Sequence, residues 1–291
     1  MSTTEQRSPR CALSIDLEDW FHVANMRHVI DAASWPARES RVVAATERLL
    51  RLFDDAGCRA TFFVLGWVAE RHPALIERIA SDGHEIGSHT YAHRMLTEQS
   101  PTEFADDLAR SLRVLRDIVG DRPMGFRAPS FTVTRATAWA TTILRDAGIV
   151  YDSSVQPIGG HPDYGIPDAP LDPYRHPDGL LEIPMTVATV GNVRLPCSGG
   201  GYFRLLPAPV FDGLVARAMA QGRRLVFYLH PWEIDPGQPR VAMSATRRLR
   251  HYANLARTED RLARLLARHR FAPMHEVFAD EIAGRRPVPT A

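Results

Sequence analysis

Two histidines four residues apart, His89 and His93, close an apolar stretch that opens at Gly83. On one helical turn that spacing would aim both imidazoles at a single metal ion. With twelve histidines in 291 residues, chance supplies such a pair roughly half the time, so the pair carries weight only in company. Its company is a set of polar residues, most of them standing where an apolar run stops. Asp16, Glu18 and Asp19 end the run from Cys11, Arg127 precedes Ala128-Pro129, Asp152 stands in Tyr151-Asp152-Ser153-Ser154, and His230 ends the run from Leu225. Two histidines and one carboxylate make a three-ligand metal site with a position left open for water, the arrangement of catalytic rather than structural zinc. A second carboxylate to accept a proton and a histidine to donate one complete what metal-assisted amide hydrolysis requires.

These residues can meet only if the chain brings several strand ends together. Cys11 to Leu17 is apolar enough for a buried strand, and helical spacing follows over residues 39–54 (Val42, Val43, Ala45, Leu49, Leu50, Phe53). Asp55-Ala56-Gly57 stops that helix before a second strand, Ala60 to Leu65, giving a β-α-β unit. Strands and helices keep alternating: a helix from Pro73 to Ala80, the strand of the Gly83–His93 stretch, a helix from Pro101 to Val119, a short strand at 124–129, a helix from Thr134 to Ala147, and a strand from Ile149 to Val155. Such alternation predicts a parallel sheet closed or nearly closed into a barrel, whose C-terminal strand ends share one face. Proline, glycine, histidine and aspartate then dominate from Gln156 to Leu180, as in a long functional excursion. A β-rich stretch from Leu181 to Val190, a triple glycine at 199–201, a helix from about Pro207 to Gln221, and the strand ending on His230 follow. One helix over Ser244 to His269 and a last strand at Glu276-Val277-Phe278 complete the expected domain, 11–282. It is an α/β deformed barrel with an irregular insertion over about 156–205 and a small β-rich segment; 1–10 and 283–291 read as disordered.

Composition narrows the partners. The net charge is +1, from 35 basic and 34 acidic residues, so no broad field favours nucleic acid. Every basic residue is arginine. Cys11, Cys58 and Cys197 are unpaired in spacing, which argues against disulfides and thiolate zinc, and a reducing, cytoplasmic location is expected. The polar start and the lack of an eighteen-residue apolar run give neither a signal peptide nor a spanning helix.

The set of motifs resembles the polysaccharide deacetylase family, carbohydrate esterases of family 4 with a NodB-like domain. Five motifs carry the resemblance in order: Ser14-Ile15-Asp16-Leu17-Glu18-Asp19-Trp20, His89-Thr90-Tyr91-Ala92-His93, Arg127-Ala128-Pro129-Ser130, Asp152-Ser153-Ser154, and Tyr228-Leu229-His230-Pro231. The resemblance implies Asp16 as catalytic base, His89 and His93 as metal ligands, His230 as general acid, Arg127 orienting the base and Asp152 orienting the acid. The implied cofactor is a divalent metal ion, zinc first, with cobalt, nickel or manganese as alternatives. The first motif departs from the family's commonest form. Strand alternation puts Glu18 on the face of Asp16, whereas Asp19 reaches the metal only if the strand has already turned, and both stand as candidates for the third ligand. The Asp-x-Glu-Asp-Trp start, the Ser198–Arg204 glycine loop and His230-Pro231-Trp232-Glu233-Ile234-Asp235 resemble the subgroup linked to exosortase and exopolysaccharide loci. That implies an N-acetylated amino sugar in a polysaccharide or its lipid-linked precursor as substrate, with acetate released.

Other readings stand beside these. Arg127 and Asp152 could be a buried ion pair, the triple glycine a turn requiring positive φ, and Trp20, Tyr202 and Trp232 core residues rather than stacking platforms for sugar. The arginines at 247, 248, 250, 257, 261, 264 and 268 read as a solvated face, with peripheral contact to a membrane surface as the alternative. The competing functions are a C–N hydrolase acting on small cyclic amides or imides, and a catalytically weak glycan-binding component of an export system.

Overall fold

The computed structural model describes residues 11–290; the expected disordered start, 1–10, and Ala291 lie outside the described residues. Along the chain run β1 (Cys11–Leu17), α1 (Val42–Asp55), β2 (Thr61–Val64), α2 (Gly66–Arg71), α3 (Pro73–Ser81), β3 (Glu85–Ser88), α4 (Pro101–Val119), β4 (Gly125–Phe126), α5 (Trp139–Asp146) and β5 (Tyr151–Asp152). After them come β6 (Tyr174–Arg175), β7 (Leu181–Glu182), β8 (Val187–Val190), β9 (Val193–Pro196), α6 (Gly200–Leu205), α7 (Ala208–Ala220), β10 (Leu225–Leu229), α8 (Ala245–Tyr252), α9 (Leu255–Arg268), β11 (Phe271–Ala272), α10 (Met274–Val277) and α11 (Ala279–Ile282).

One sheet has the order β10-β1-β2-β3-β4-β5-β7-β6, with β11 beside the first two residues of β1, and β8 and β9 form a separate hairpin. All of its neighbours run parallel except β6 against β7. No pairing joins β10 to β6, so the sheet is a curled half-barrel rather than a closed one. All seven residues of β1 are buried, as a nearly continuous apolar run in a central parallel strand requires, Ser14 and Asp16 being its polar exceptions. Register does the rest: Ile15 lies opposite Leu229 on β10, Leu17 opposite Val64, Val64 opposite Ser88, Ser88 opposite Phe126, and Phe126 opposite Asp152. The residues that follow each of these positions share one rim of the sheet.

The amphipathic periodicity is realised in α1 and α4; α4 spans the expected Pro101 to Val119, opened by a Ser100/Glu103 capping box and closed by Gly120 in the left-handed conformation. Three expectations change. The helix read over 244–269 is two, α8 and α9, broken at Ala253 and Asn254. There Arg204 Nη1 takes the Ala253 carbonyl and Asn254 adopts φ 59°. The last strand is β11, and Glu276 and Val277 belong to a helical turn whose N–H groups return to Pro273. Gly199 and Gly200 are required by close approach, since a Cβ on Gly199 would sit 2.0 Å from the Tyr228 carbonyl oxygen of β10 and both have positive φ. The stretch from 283, expected to be a disordered tail, is described to Thr290 and returns to β6, where Arg175 N donates to the Pro289 carbonyl at 2.8 Å.

Candidate metal centre and active site

Glu18, His89 and His93 meet at the rim. Their ligand atoms all lie within 4.8 Å of one another. His89 follows β3 directly, and its Nδ1 lies 2.8 Å from the carbonyl of Arg127, which leaves Nε2 to face the centre. His93 Nε2 stands 2.8 Å from Glu18 Oε2, yet that oxygen receives no hydrogen bond of acceptable geometry. A buried carboxylate oxygen facing an imidazole nitrogen without a proton well placed between them is a fitting cradle for a divalent cation. Burial disfavours the Glu18 carboxylate, but the imidazoles of His93, His230 and His89 outweigh it and hold the carboxyl well below its usual range. Burial also pushes His89 down to about 4, so its imidazole is neutral and free to ligate near neutral pH.

No helical turn brings the two histidines together. Thr90 and His93 both adopt left-handed φ (67° and 52°), and the turn between them is pinned from two sides. The Asp107 carboxylate of α4 accepts the N–H groups of Tyr91 (2.7 Å) and Ala92 (3.0 Å), while the first N–H groups of α2, on Gly66 and Trp67, bind the carbonyls of Thr90 and Tyr91.

Of the two candidate carboxylates, Glu18 is the one whose oxygen converges with the nitrogens of His89 and His93. Asp19 is turned away: Ser40 Oγ (2.7 Å) and the N–H groups of Arg41 (2.9 Å) and Val42 (3.2 Å) reach its Oδ2, and Trp20 N reaches Oδ1. It does the work of an N-cap for α1 from the end of β1. β1 ends at Leu17 and the Glu18 N–H returns to the Asp16 carbonyl at 3.0 Å, so the strand does not continue to carry Asp19 onto the face of the metal candidates.

Asp16 and His230 flank the three. Arg127 Nη1 donates to Asp16 Oδ1 at 2.7 Å, and Asp16 Oδ2 faces His230 Nε2 at 3.8 Å. His230 Nε2 is also 3.5 Å from Glu18 Oε1. Arg127 therefore orients Asp16 and makes no ion pair with Asp152. The partner of His230 is not Asp152 but Glu233, whose Oε1 lies 2.7 Å from Nδ1. Glu233 is in turn held by Arg204 Nε, and the remaining Arg204 nitrogens bind the carbonyls of Arg250, His251 and Ala253. Burial works against protonating His230, but Glu233, with Glu18 and Asp16, carries it up to about 9. Trp232 stacks on His230 at 5.3 Å and aims its indole N–H at Glu18 Oε1, so it belongs to the wall of the site. Glu233 and Arg204 stand in the sequence inside the His230–Asp235 and Ser198–Arg204 stretches, but nothing local there pairs them with each other or with His230.

Asp152 lies instead beside Glu182, and both are fully buried. Burial, then the neighbouring Glu182, push Asp152 well above its ordinary range, and burial pushes Glu182 from 4.5 up to about 8. A raised folded-state value means the folded chain holds its proton longer than the unfolded one. The stabilisation from Glu182 is thus complete below pH 4.5 and lost as pH rises to about 8. Glu182→Gln is expected to flatten the pH dependence of the melting temperature across that window, read by thermal unfolding from pH 4 to 9.

Residues 35–151 match the polysaccharide deacetylase family, and residues 153–279 match a domain of unknown function, DUF3473. A peptidoglycan-N-acetylglucosamine deacetylase of Bacillus cereus is 33% identical over 97 residues, covering 33% of this chain and 35% of that protein. A peptidoglycan deacetylase of Helicobacter pylori is 31% identical over 108 residues, covering 37% and 36%. The chain thus spans about a third of the length of these curated relatives. Among solved structures, a putative polysaccharide deacetylase from Mycobacterium smegmatis superposes with a TM-score of 0.64 at 21% identity, covering 100% of this chain and 96% of that one. The peptidoglycan deacetylase PdaC of Bacillus subtilis gives 0.51 at 15% identity, covering 96% and 94%. The fold is the deformed, half-open α/β barrel of these solved structures with a small two-stranded sheet added; residues 35–151 are similar to the polysaccharide deacetylase family, and the stretch after them to the domain of unknown function.

Proposed function

We propose that the chain is a metal-dependent N-deacetylase that removes acetyl groups from the amino sugars of a polysaccharide or its lipid-linked precursor, releasing acetate. The observation that carries the reading is the convergence of Glu18, His89 and His93 between a base and an acid, Asp16 and His230, that face the same centre. The names of the relatives, which are deacetylases of N-acetylated glycans, support the substrate class.

Glu18, His89 and His93 would hold the metal, which when bound supplies a Lewis acid for the acetamide carbonyl and for an attacking water. Asp16 accepts the proton of that water on Oδ2, because Oδ1 is occupied by Arg127. His230 donates from Nε2 to the departing amine, with Nδ1 fixed on Glu233 so that the ring cannot turn. Trp232 and the Glu233–Arg204 pair close the site behind His230. The products are acetate and a free amino sugar. Zinc suits one carboxylate and two imidazoles, with cobalt, nickel or manganese as replacements. The expected site of action is the cytoplasm, and among the described residues no helix is long and apolar enough to cross a membrane.

The purified chain is expected to release acetate from N-acetylated chito-oligosaccharides or peptidoglycan fragments, with one new amine per acetate. Chelation should abolish the activity and added zinc or cobalt restore it. Absence of acetate release from every N-acetylated glycan offered to the metal-loaded protein would overturn the reading.

A further inference from the structure

A chain of hydrogen bonds leads from the buried acids Asp152 and Glu182 to Asp16. Glu182 Oε1, on β7, accepts the N–H groups of Ser154 (3.1 Å) and Val155 (2.9 Å) just beyond β5. Ser154 Oγ donates to Asp152 Oδ1 and accepts the N–H of Ala128 at 2.8 Å. Ser153 receives Arg127 twice, its carbonyl from Nε at 2.9 Å and its hydroxyl from Nη2 at 3.1 Å, while that hydroxyl donates to the Ile183 carbonyl. Arg127 Nη1 completes the chain on Ser14 Oγ and Asp16 Oδ1. Arg127 is fully buried, so every one of its contacts is made by protein and none can be replaced by solvent without opening the core.

Asp152, Glu182 and His176 also bring three potential ligand atoms within reach of one cation. A proton shared by the two buried carboxyls would serve the same atoms and give Asp152 Oδ2, which has no partner, one in Glu182, while His176 Nε2 lies 3.4 Å from Glu182 Oε2. The geometry therefore points to a support rather than to a second metal centre.

We propose that Glu182 and Asp152 are positioning residues for the reaction: by fixing Ser153 and Ser154 they hold the Arg127 guanidinium in register with Asp16. The inference rests on the deacetylase reading and extends its machinery into the domain of unknown function, because Glu182 lies in residues 153–279.

Glu182→Ala is expected to lower kcat about 10- to 100-fold, the range for removing an outer-shell partner, with KM and metal content unchanged. Glu182→Gln should recover most of it, since the amide oxygen still accepts both N–H groups and the amide nitrogen can donate to Asp152. In an Arg127→Ala background, Glu182→Ala should add nothing further. Equal loss with and without Arg127 would mean that Glu182 acts by another route and overturns the proposal, as would an unchanged kcat. Ser154→Ala, which cuts the link from Asp152 to Ala128, carries the same test if Glu182→Ala does not fold. A readout independent of turnover is the protected Arg127 Nε–H resonance in a ¹⁵N–¹H spectrum, assigned by its loss in Arg127→Ala. Its shift or loss of protection in Glu182→Ala supports the proposal, and an unmoved, protected resonance overturns it even if the wild-type chain releases no acetate, an outcome that counts against the deacetylase reading alone.

Discussion

Asp16→Asn is expected to reduce acetate release about 10²- to 10⁴-fold, the usual loss for a general base, while the bound metal stays at wild-type stoichiometry. The asparagine keeps the shape of the side chain and an oxygen for Arg127 Nη1, which lies 2.7 Å from Oδ1, so folding and the Arg127 network should survive. What disappears is the second carboxylate oxygen, the one facing His230 Nε2 at 3.8 Å. Asp16 is not among the three groups whose atoms converge as ligands, so the metal should be retained. The measurement is kcat and KM on one N-acetylated oligosaccharide, paired with elemental analysis of the same preparation. Loss of activity together with the metal would instead make Asp16 a ligand, and full activity would remove it from the mechanism.

Replacing a ligand should give the complementary result. Glu18→Gln and His93→Ala are each expected to weaken metal binding by more than about 100-fold, beyond the 10- to 100-fold typical of a residue that merely orients a ligand. Asp19→Ala, one residue further along, should leave metal affinity unchanged and lower stability by about 1–3 kcal/mol, because it strands the donors of Trp20, Ser40, Arg41 and Val42. Competition with a chromophoric zinc chelator and urea unfolding separate the two effects. If Asp19→Ala lost the metal and Glu18→Gln kept it, the third ligand would have been misassigned.

The strand ends were legible in the sequence because a buried parallel strand is an apolar run, and a charged residue that stops one is conspicuous. That pattern gave Asp16, Glu18, His89, Arg127 and His230, and the structure places all of them on one rim. What the sequence withheld depends on partners far away in the chain. Whether Asp19 turns inward is decided by the start of α1, more than twenty residues on, whose unpaired N–H groups need an acceptor. The shape of the His89–His93 turn is set by Asp107, on a helix that begins after it. Asp152 was placed on the correct strand but given the wrong neighbour, since only the pairing of β5 with β7 brings Glu182 alongside. The break between α8 and α9 likewise depends on Arg204, about fifty residues upstream, binding the carbonyls there. Helical periodicity alone carries no trace of that competition.

The two family matches meet between residues 151 and 153, at the very end of β5. Arg127 and Asp16 stand before that junction and Ser153, Glu182, His230 and Glu233 after it, and the hydrogen bonds from Arg127 to Ser153, from Ala128 to Ser154 and from Trp232 to Glu18 cross it. The border divides two family matches and not two folding units. A fragment ending at 151 would uncover the buried Arg127 and lack the proposed acid, and a chimera joined there would have to inherit both sides of the seam as a matched set.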